Sequence, residues 1–459
     1  MKRLAILLTA AFAVASLVIA NKSAYTATLT SASGSGRGIL AMRANDFLNT
    51  LGADTHLVQG IENYRAIIAG LRYTGIRNIR EDATHDPSRY AALCLIHSAT
   101  GALVDELPIV DSDSRSVQDT QIEYEALAYC GAMLEAEGPN EPNNFPFKYL
   151  GKTCSSSGSF ASCARYMAAE YAMIKGDPKL SRYPVVDLTE PGAEPDNTGL
   201  QFLTIPSGQG TLMPAGTKFA DVANLHNYVL GNGQRAVMDN QAWNAESTPN
   251  NGPWDGLLGE YCGKTWAKHY TAALMTQCTM PKVTTETGWP STTISQDQQG
   301  RLITNVYLSA AKQGWLHTFV YLLFDEPQAG NGGYGFFNPS DGSANVQPKP
   351  LGTYTHNLTG ILSDSTSNFN PGAVNYVILS EPRTVHDLLM QKSNGTYELA
   401  VWDDRPIGEA TDRVTVNLGA PYPTVNVYDT TMGIRVVQKL SNASSVPLIL
   451  TDHALIVEF

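Results

Sequence analysis

The sequence predicts an α/β chain: a (β/α)8 TIM barrel followed by a C-terminal all-β sandwich. Three observations predict it. Over residues 40–365, short apolar runs closed by Gly, Pro, Asn or Asp alternate eight times with segments of helical apolar spacing, the pattern of a parallel sheet. No Gly-x-Gly-x-x-Gly follows an early strand, so a closed barrel is favoured over an open dinucleotide-binding sheet. From residue 366 to 459 the helical spacing stops and short β-rich runs broken by turn residues take over. At 459 residues the chain has room for one barrel, which needs about 250 residues or more, and one smaller domain.

The elements follow in order. Residues 1–20 open with Met-Lys-Arg and run apolar from Leu4 to Ala20, a secretory signal-peptide pattern. Val18-Ile-Ala20 and the segment 23–27 are candidate cleavage sites. The stretch is shorter than the ~20 residues of a spanning helix, and an uncleaved anchor is the alternative. After a Ser/Gly-rich segment (31–38), residues 47–51 form the expected first strand. The next helix places Ile61, Ile67, Ile68 and Leu71 on one face. Residues 76–80 are the second strand. Asp86-Pro87 reads as an N-cap followed by Pro at the first helical position. The third strand spans 103–110, its helix 117–130, and the fourth strand 132–136. Helices over 163–174, 257–275, 302–311 and 351–361 then separate strands at 183–188, 222–228, 283–286 and 318–324. The sandwich strands are expected at 374–378, 397–402, 414–417, 425–428, 448–450 and 454–459, and a strand from 26–40 is a candidate to join them. No internal repeat is present.

A charged fraction of 16% and a hydrophobic fraction of 43% describe a globular chain, not a disordered one. The formal net charge of −12 argues against nucleic acid or an anionic membrane as partner. Six cysteines in a chain with an export signal suggest disulfides. Cys154 and Cys163 flank a Ser/Gly-rich segment, Cys262 and Cys278 bracket an expected helix, and Cys94 and Cys130 remain. No pair has the close spacing of a zinc site.

The chemistry concentrates at two places. Glu141 lies in Glu137-Gly-Pro-Asn-Glu-Pro-Asn143, just past the fourth strand, and Glu286 lies in Thr284-Thr-Glu-Thr-Gly-Trp289, at the end of the seventh. Barrel sites form at the C-terminal ends of the strands. Two carboxylates there suit a reaction needing an acid and a nucleophile across one bond, and glycoside hydrolysis is such a reaction. Asn-Glu-Pro on the fourth strand and Glu before Gly-Trp on the seventh resemble the large clan of retaining glycoside hydrolases built on (β/α)8 barrels, over about residues 40–365. The resemblance implies Glu141 as acid/base and Glu286 as nucleophile. It also implies Arg80 beside the nucleophile, Tyr228 as hydrogen-bond donor to it, His226 at the substrate, and Asn140 on a sugar hydroxyl. A buried strand-end pair or a turn-forming Asn is the structural alternative for each. Glu137 either raises the pKa of Glu141 or pairs with Arg80; the Arg80 pairing ranks first. Trp289, Trp243 and Trp254 are candidates for stacking on sugar rings. The clan often carries Trp at the end of the eighth strand, where this chain has Tyr321, Phe324 and Asp325. Gly333-Tyr-Gly-Phe-Phe-Asn338 and Pro348-Lys-Pro350 are similar to the segment before the last barrel helix of such enzymes.

The expectation is therefore a secreted or periplasmic retaining glycosidase acting on a carbohydrate substrate, with no metal or organic cofactor, no nucleic acid and no membrane after signal cleavage. A carbohydrate-binding barrel without turnover and a transglycosylase are the alternatives.

Overall fold

The structure, a computed structural model, describes residues 38–110, 116–142, 144–154, 161–189, 218–226, 228, 281–330, 332–382, 384–404 and 411–459. The signal segment 1–20, the loop with Trp243 and Trp254, the expected helix 257–275 and the Cys262–Cys278 pair lie outside the described residues.

Strands β1 (Ile39–Leu40) and β2 (Met42–Arg43) lead into helix α1 (Ala44–Leu48) and strand β3 (Leu51–Asp54). The first barrel strand is thus not 47–51. Phe47 and Leu48 are buried from a helical turn, and the strand begins where that turn ends. Gly52 reads as a strand breaker, yet it is required there. A Cβ at Gly52 would sit 2.4 Å from the Phe319 ring of the neighbouring strand.

Helix α2 (Tyr64–Thr74) is capped by Asn63, whose side chain accepts from the Arg65 N–H, and ends at Gly75 with φ 73°. Ile67 and Leu71 are buried on it, but Ile61 lies outside the helix and is exposed. Strand β4 (Asn78–Asp82) follows. Helix α3 (Pro87–Thr100) has the expected cap: Asp86 accepts from the Ser88 N–H and Pro87 opens the first turn. Then come β5 (Leu103–Leu107), α4 (Ser116–Cys130), β6 (Met133–Glu137), a small hairpin of β7 (Phe147–Tyr149) and β8 (Lys152–Cys154), α5 (Ala161–Gly176), β9 (Val185–Val186), β10 (Ala223–His226) and β11 (Lys282–Thr287). Helix α6 (Gln296–Lys312) starts on a capping box of Ser295 and Gln298. Strand β12 (Thr318–Val320) and helix α7 (Pro350–Ile361) complete the alternation.

The eight parallel strands are ordered β10-β11-β12-β3-β4-β5-β6-β9. A parallel bridge between Val186 and Val222 closes the ring. Tyr307 on α6 ties the outer helices to the wall by donating to the Gly52 carbonyl at 2.6 Å. Cys94–Cys130 and Cys154–Cys163 are disulfide-bonded, the first joining α3 to α4. No helix among the described residues is long and apolar enough to cross a membrane.

Beyond the barrel lie β13 (Ala373–Val374), β14 (Val377–Leu379), β15 (Val385–Gln391), β16 (Tyr397–Asp403), β17 (Asp412–Asp429), β18 (Val436–Leu450) and β19 (Leu455–Glu458). The runs expected separately at 414–417 and 425–428 are one strand, β17, whose register on β18 shifts between Asn417 and Tyr422. One half of β17 pairs β14 and the other pairs β19. Val374, Leu399, Val416, Val427, Val446 and Val457 are among the residues of the core between these layers. The sandwich rests on α6 and α7: Lys312 pairs with Asp387 at 3.0 Å, Arg301 with Asp452 at 3.0 Å, and Asn357 donates to the Thr430 carbonyl at 2.8 Å.

Candidate active site

At the C-terminal ends of the barrel strands a cleft of about 620 Å³ opens, with Arg80, Asn140, Glu141, Tyr228 and Glu286 in its wall. Arg80 is the centre of its charge pattern. It is only 4% exposed and projects from β4. Its Nε and one Nη grip both oxygens of Glu137 at 2.6 and 2.9 Å. Its other Nη donates to Glu286 at 2.7 Å and approaches Asp54 at 3.4 Å. The remaining N–H goes to Asn140 Oδ1 at 2.9 Å. Glu137 is therefore a partner of Arg80, in a bidentate pair that fixes the guanidinium plane.

Glu286 lies on β11 and receives a second bond, from the Tyr228 hydroxyl to Oε2 at 2.7 Å. Each of its oxygens is thus held in place by its own donor. Behind this pair, Thr285 and Asn224 both donate to Glu137, at 2.7 and 3.1 Å.

Glu141 follows β6 with φ 40°, in the left-handed region that residues with a Cβ rarely adopt. Such a conformation costs of order 1–3 kcal/mol and persists where the surroundings impose it. His226 Nδ1 bonds Glu141 Oε1 at 2.8 Å, and the Asn144 amide donates to Oε2 at 2.8 Å. Burial pushes Glu141 up, but the hydrogen bond and charge of His226, with Asn144 and Arg80, outweigh it and bring the carboxyl below the ordinary value. Nε2 of His226 lies 3.0 Å from the Thr189 hydroxyl and 2.9 Å from that of Thr285. Hydroxyls donate or accept, so either protonation state of the ring is satisfied.

One ligand-type atom from each of Glu141, His226 and Glu286 lies within 4.8 Å of the others, so these three residues could hold a metal ion. The Arg80 guanidinium 2.7 Å from Glu286 opposes a second cation there.

Two expected residues fall elsewhere. Trp289 packs half-buried against the barrel core. Asp325 pairs with the buried Lys349 at 3.0 Å and accepts from the Gly335 N–H at 2.6 Å, pinning the loop that carries Tyr334. Tyr334 itself lines the cleft, edge-on to Tyr321 at 5.5 Å. Asp54, His56, Glu81 and Asp82 also line it and were not anticipated. Asp54 ends the strand whose position the sequence misplaced, so the strand-end rule would have found it.

No family model matches the sequence, and no curated protein matches it. Solved structures do. A family 39 glycoside hydrolase from the gut symbiont Bacteroides cellulosilyticus superposes with a TM-score of 0.59 at 14% identity, over 91% of this chain and 82% of that one. A glycoside hydrolase family 30 subfamily 8 xylanase from Clostridium acetobutylicum and a glucosidase from Croceicoccus marinus each give 0.53 at 11% identity, over 92% of this chain and 97% of theirs. At these identities the likeness establishes the fold, a parallel eight-stranded barrel with a β-sandwich.

Proposed function

We propose that the protein is an exported retaining glycoside hydrolase. The observation that carries this reading is the pairing of Glu141 and Glu286 across the mouth of the barrel, with a carboxylate oxygen of each within 4.8 Å. Retaining enzymes place the two carboxyl groups about 5–5.5 Å apart, whereas inverting ones leave about 6.5–9.5 Å for a water. The glycoside hydrolases that share the fold support the same reaction class. Two disulfides support an oxidising compartment.

In the first step an oxygen of Glu286 attacks the anomeric carbon. The bond to the leaving oxygen breaks as that oxygen takes the proton carried by the Glu141–His226 pair. Arg80 and Tyr228 hold one oxygen of Glu286 each and keep it aimed. In the second step Glu141 accepts a proton from water, which attacks the same carbon and releases Glu286. The lowered pKa leaves Glu141 unprotonated and open to that proton, without strengthening it as a base. In the first step the hydrogen bond to His226 keeps a proton within reach. Asn140 spends its oxygen on Arg80, which leaves its amide N–H groups for a sugar hydroxyl next to the reacting carbon.

A mechanism-based label tests the reading. A 2-deoxy-2-fluoro glycoside with a good leaving group should glycosylate one carboxylate as that group departs and stall there, and peptide mass spectrometry should locate the sugar on Glu286. Labelling of another carboxylate, or hydrolysis with inversion, would sink the assignment.

A further inference from the structure

Resting on the glycosidase reading, we infer that the sugar docking beside Glu286 is uncharged, and that His56 Nε2 hydrogen-bonds one of its hydroxyls. The charge pattern carries the first half. Among the described residues lining the cleft, Arg80 and His56 are the only cationic side chains. All five N–H groups of Arg80 are spent on Glu137, Glu286, Asp54 and Asn140. None is left for a substrate carboxylate. Asp54, Glu81 and Asp82 line the same space. Burial raises the pKa of each and neighbouring acids add to the rise, which Arg80 offsets in part at Asp54 and Asp82. A glycuronide would bring another anion to a place where the existing ones already resist ionising.

The geometry of His56 carries the second half. Its Nδ1 lies 2.7 and 2.8 Å from the two oxygens of Glu326, which is 1% exposed. The Tyr321 ring stands edge-on to it at 5.6 Å. These contacts fix the ring plane and place a proton on Nδ1, and no described residue takes up Nε2. Burial lowers the His56 pKa, but the bond and charge of Glu326, with Glu81 and Asp82, raise it above the ordinary value. Nε2 accepts from a hydroxyl when the ring is neutral and donates to one when it is protonated. The result is a rigidly held imidazole nitrogen backed by a carboxylate, which matches a hydroxyl, able to donate or accept, better than a carboxylate.

The test compares kcat/KM on 4-nitrophenyl glycosides of glucose, xylose, galactose and mannose with that on the glucuronide and galacturonide. Wild-type enzyme should turn over at least one neutral glycoside and should prefer it over the matching uronide by 100-fold or more. His56→Ala should raise KM for that glycoside at least tenfold. His56→Gln, which keeps an N–H near the Nε2 position, should recover most of the loss. A uronide used within tenfold of its neutral counterpart would overturn the uncharged-sugar inference and leave the glycosidase reading intact. Equal loss in the Ala and Gln variants, each folded by thermal melt, would overturn the role of His56. Absence of turnover on every glycoside would reject the glycosidase reading and this inference with it.

Discussion

The two carboxylates at the barrel mouth sit in unlike surroundings. Glu286 stands on a strand, and a guanidinium and a phenol hold one oxygen each. Glu141 stands in the loop past the strand that ends at Glu137, on a strained backbone, and its partners are an imidazole and an amide. The first environment fixes position, which the proposed nucleophile needs. The second places an imidazole beside the proposed acid/base. The proposed roles rest on these partners, since the side chains are chemically identical.

The largest expected effect breaks the Glu286 side. Glu286→Ala should lower kcat by about 10⁵-fold or more on every leaving group. Added azide should restore turnover of an activated aryl glycoside and give a product of inverted configuration by NMR. Glu141→Ala should cost about 10²–10⁴-fold on poor leaving groups, and much less on 2,4-dinitrophenyl glycosides, a dependence that Glu286→Ala lacks. If that dependence attached to Glu286, the two roles would be exchanged.

Smaller changes sharpen the contrast. Tyr228→Phe removes one bond to a charged oxygen, worth about 1.5–3 kcal/mol, so kcat/KM should fall roughly 10–100-fold. Asn144→Ala should cost less than about tenfold. Asn144 lowers the pKa of Glu141, so its loss should move the alkaline limb of the kcat/KM profile to higher pH. The smallest effect on catalysis comes from Glu81, which neither carboxylate touches. Burial first, then Asp82, raises its pKa from 4.5 to about 7. Between those values the folded protein keeps a proton that the unfolded chain has lost. This contribution to stability is complete below 4.5, declines as pH rises to about 7, and is level above it. Glu81→Gln should flatten that slope, as read from denaturation midpoints at pH 4.5 and 7.5.

Much of this was legible in the sequence because strand ends announce themselves. The Asp86-Pro87 cap, the alternation of elements and the Cys154–Cys163 pairing needed only local chemistry, whereas Cys94–Cys130, 36 residues apart, followed only as the pair left over. What was hidden depends on long-range contact. Gly52 serves the Phe319 ring, 267 positions away in the numbering, and the strand that holds it starts where the expected one at 47–51 ended, so Asp54 at its end stayed hidden. Asp325 ends a run in the right place, yet its partner Lys349 draws it away from the cleft. Strand β15 has no clean alternation in Val385-His-Asp-Leu-Leu-Met-Gln391, because its neighbours on both sides and the helix beneath it determine what each face needs.

The chain enters the sandwich before it builds the barrel. Met42 pairs with Met390 and Ile39 with Val374, so residues on either side of the whole barrel share one β-structure. The sandwich therefore cannot be lifted out by a single cut. A fragment beginning at residue 366 would lack β2 and leave the edge of β15 bare, a ready template for aggregation. For recombination and for engineering, the transferable unit is the chain from residue 39 onward, buckled at both ends, and a graft of either half alone should yield insoluble protein.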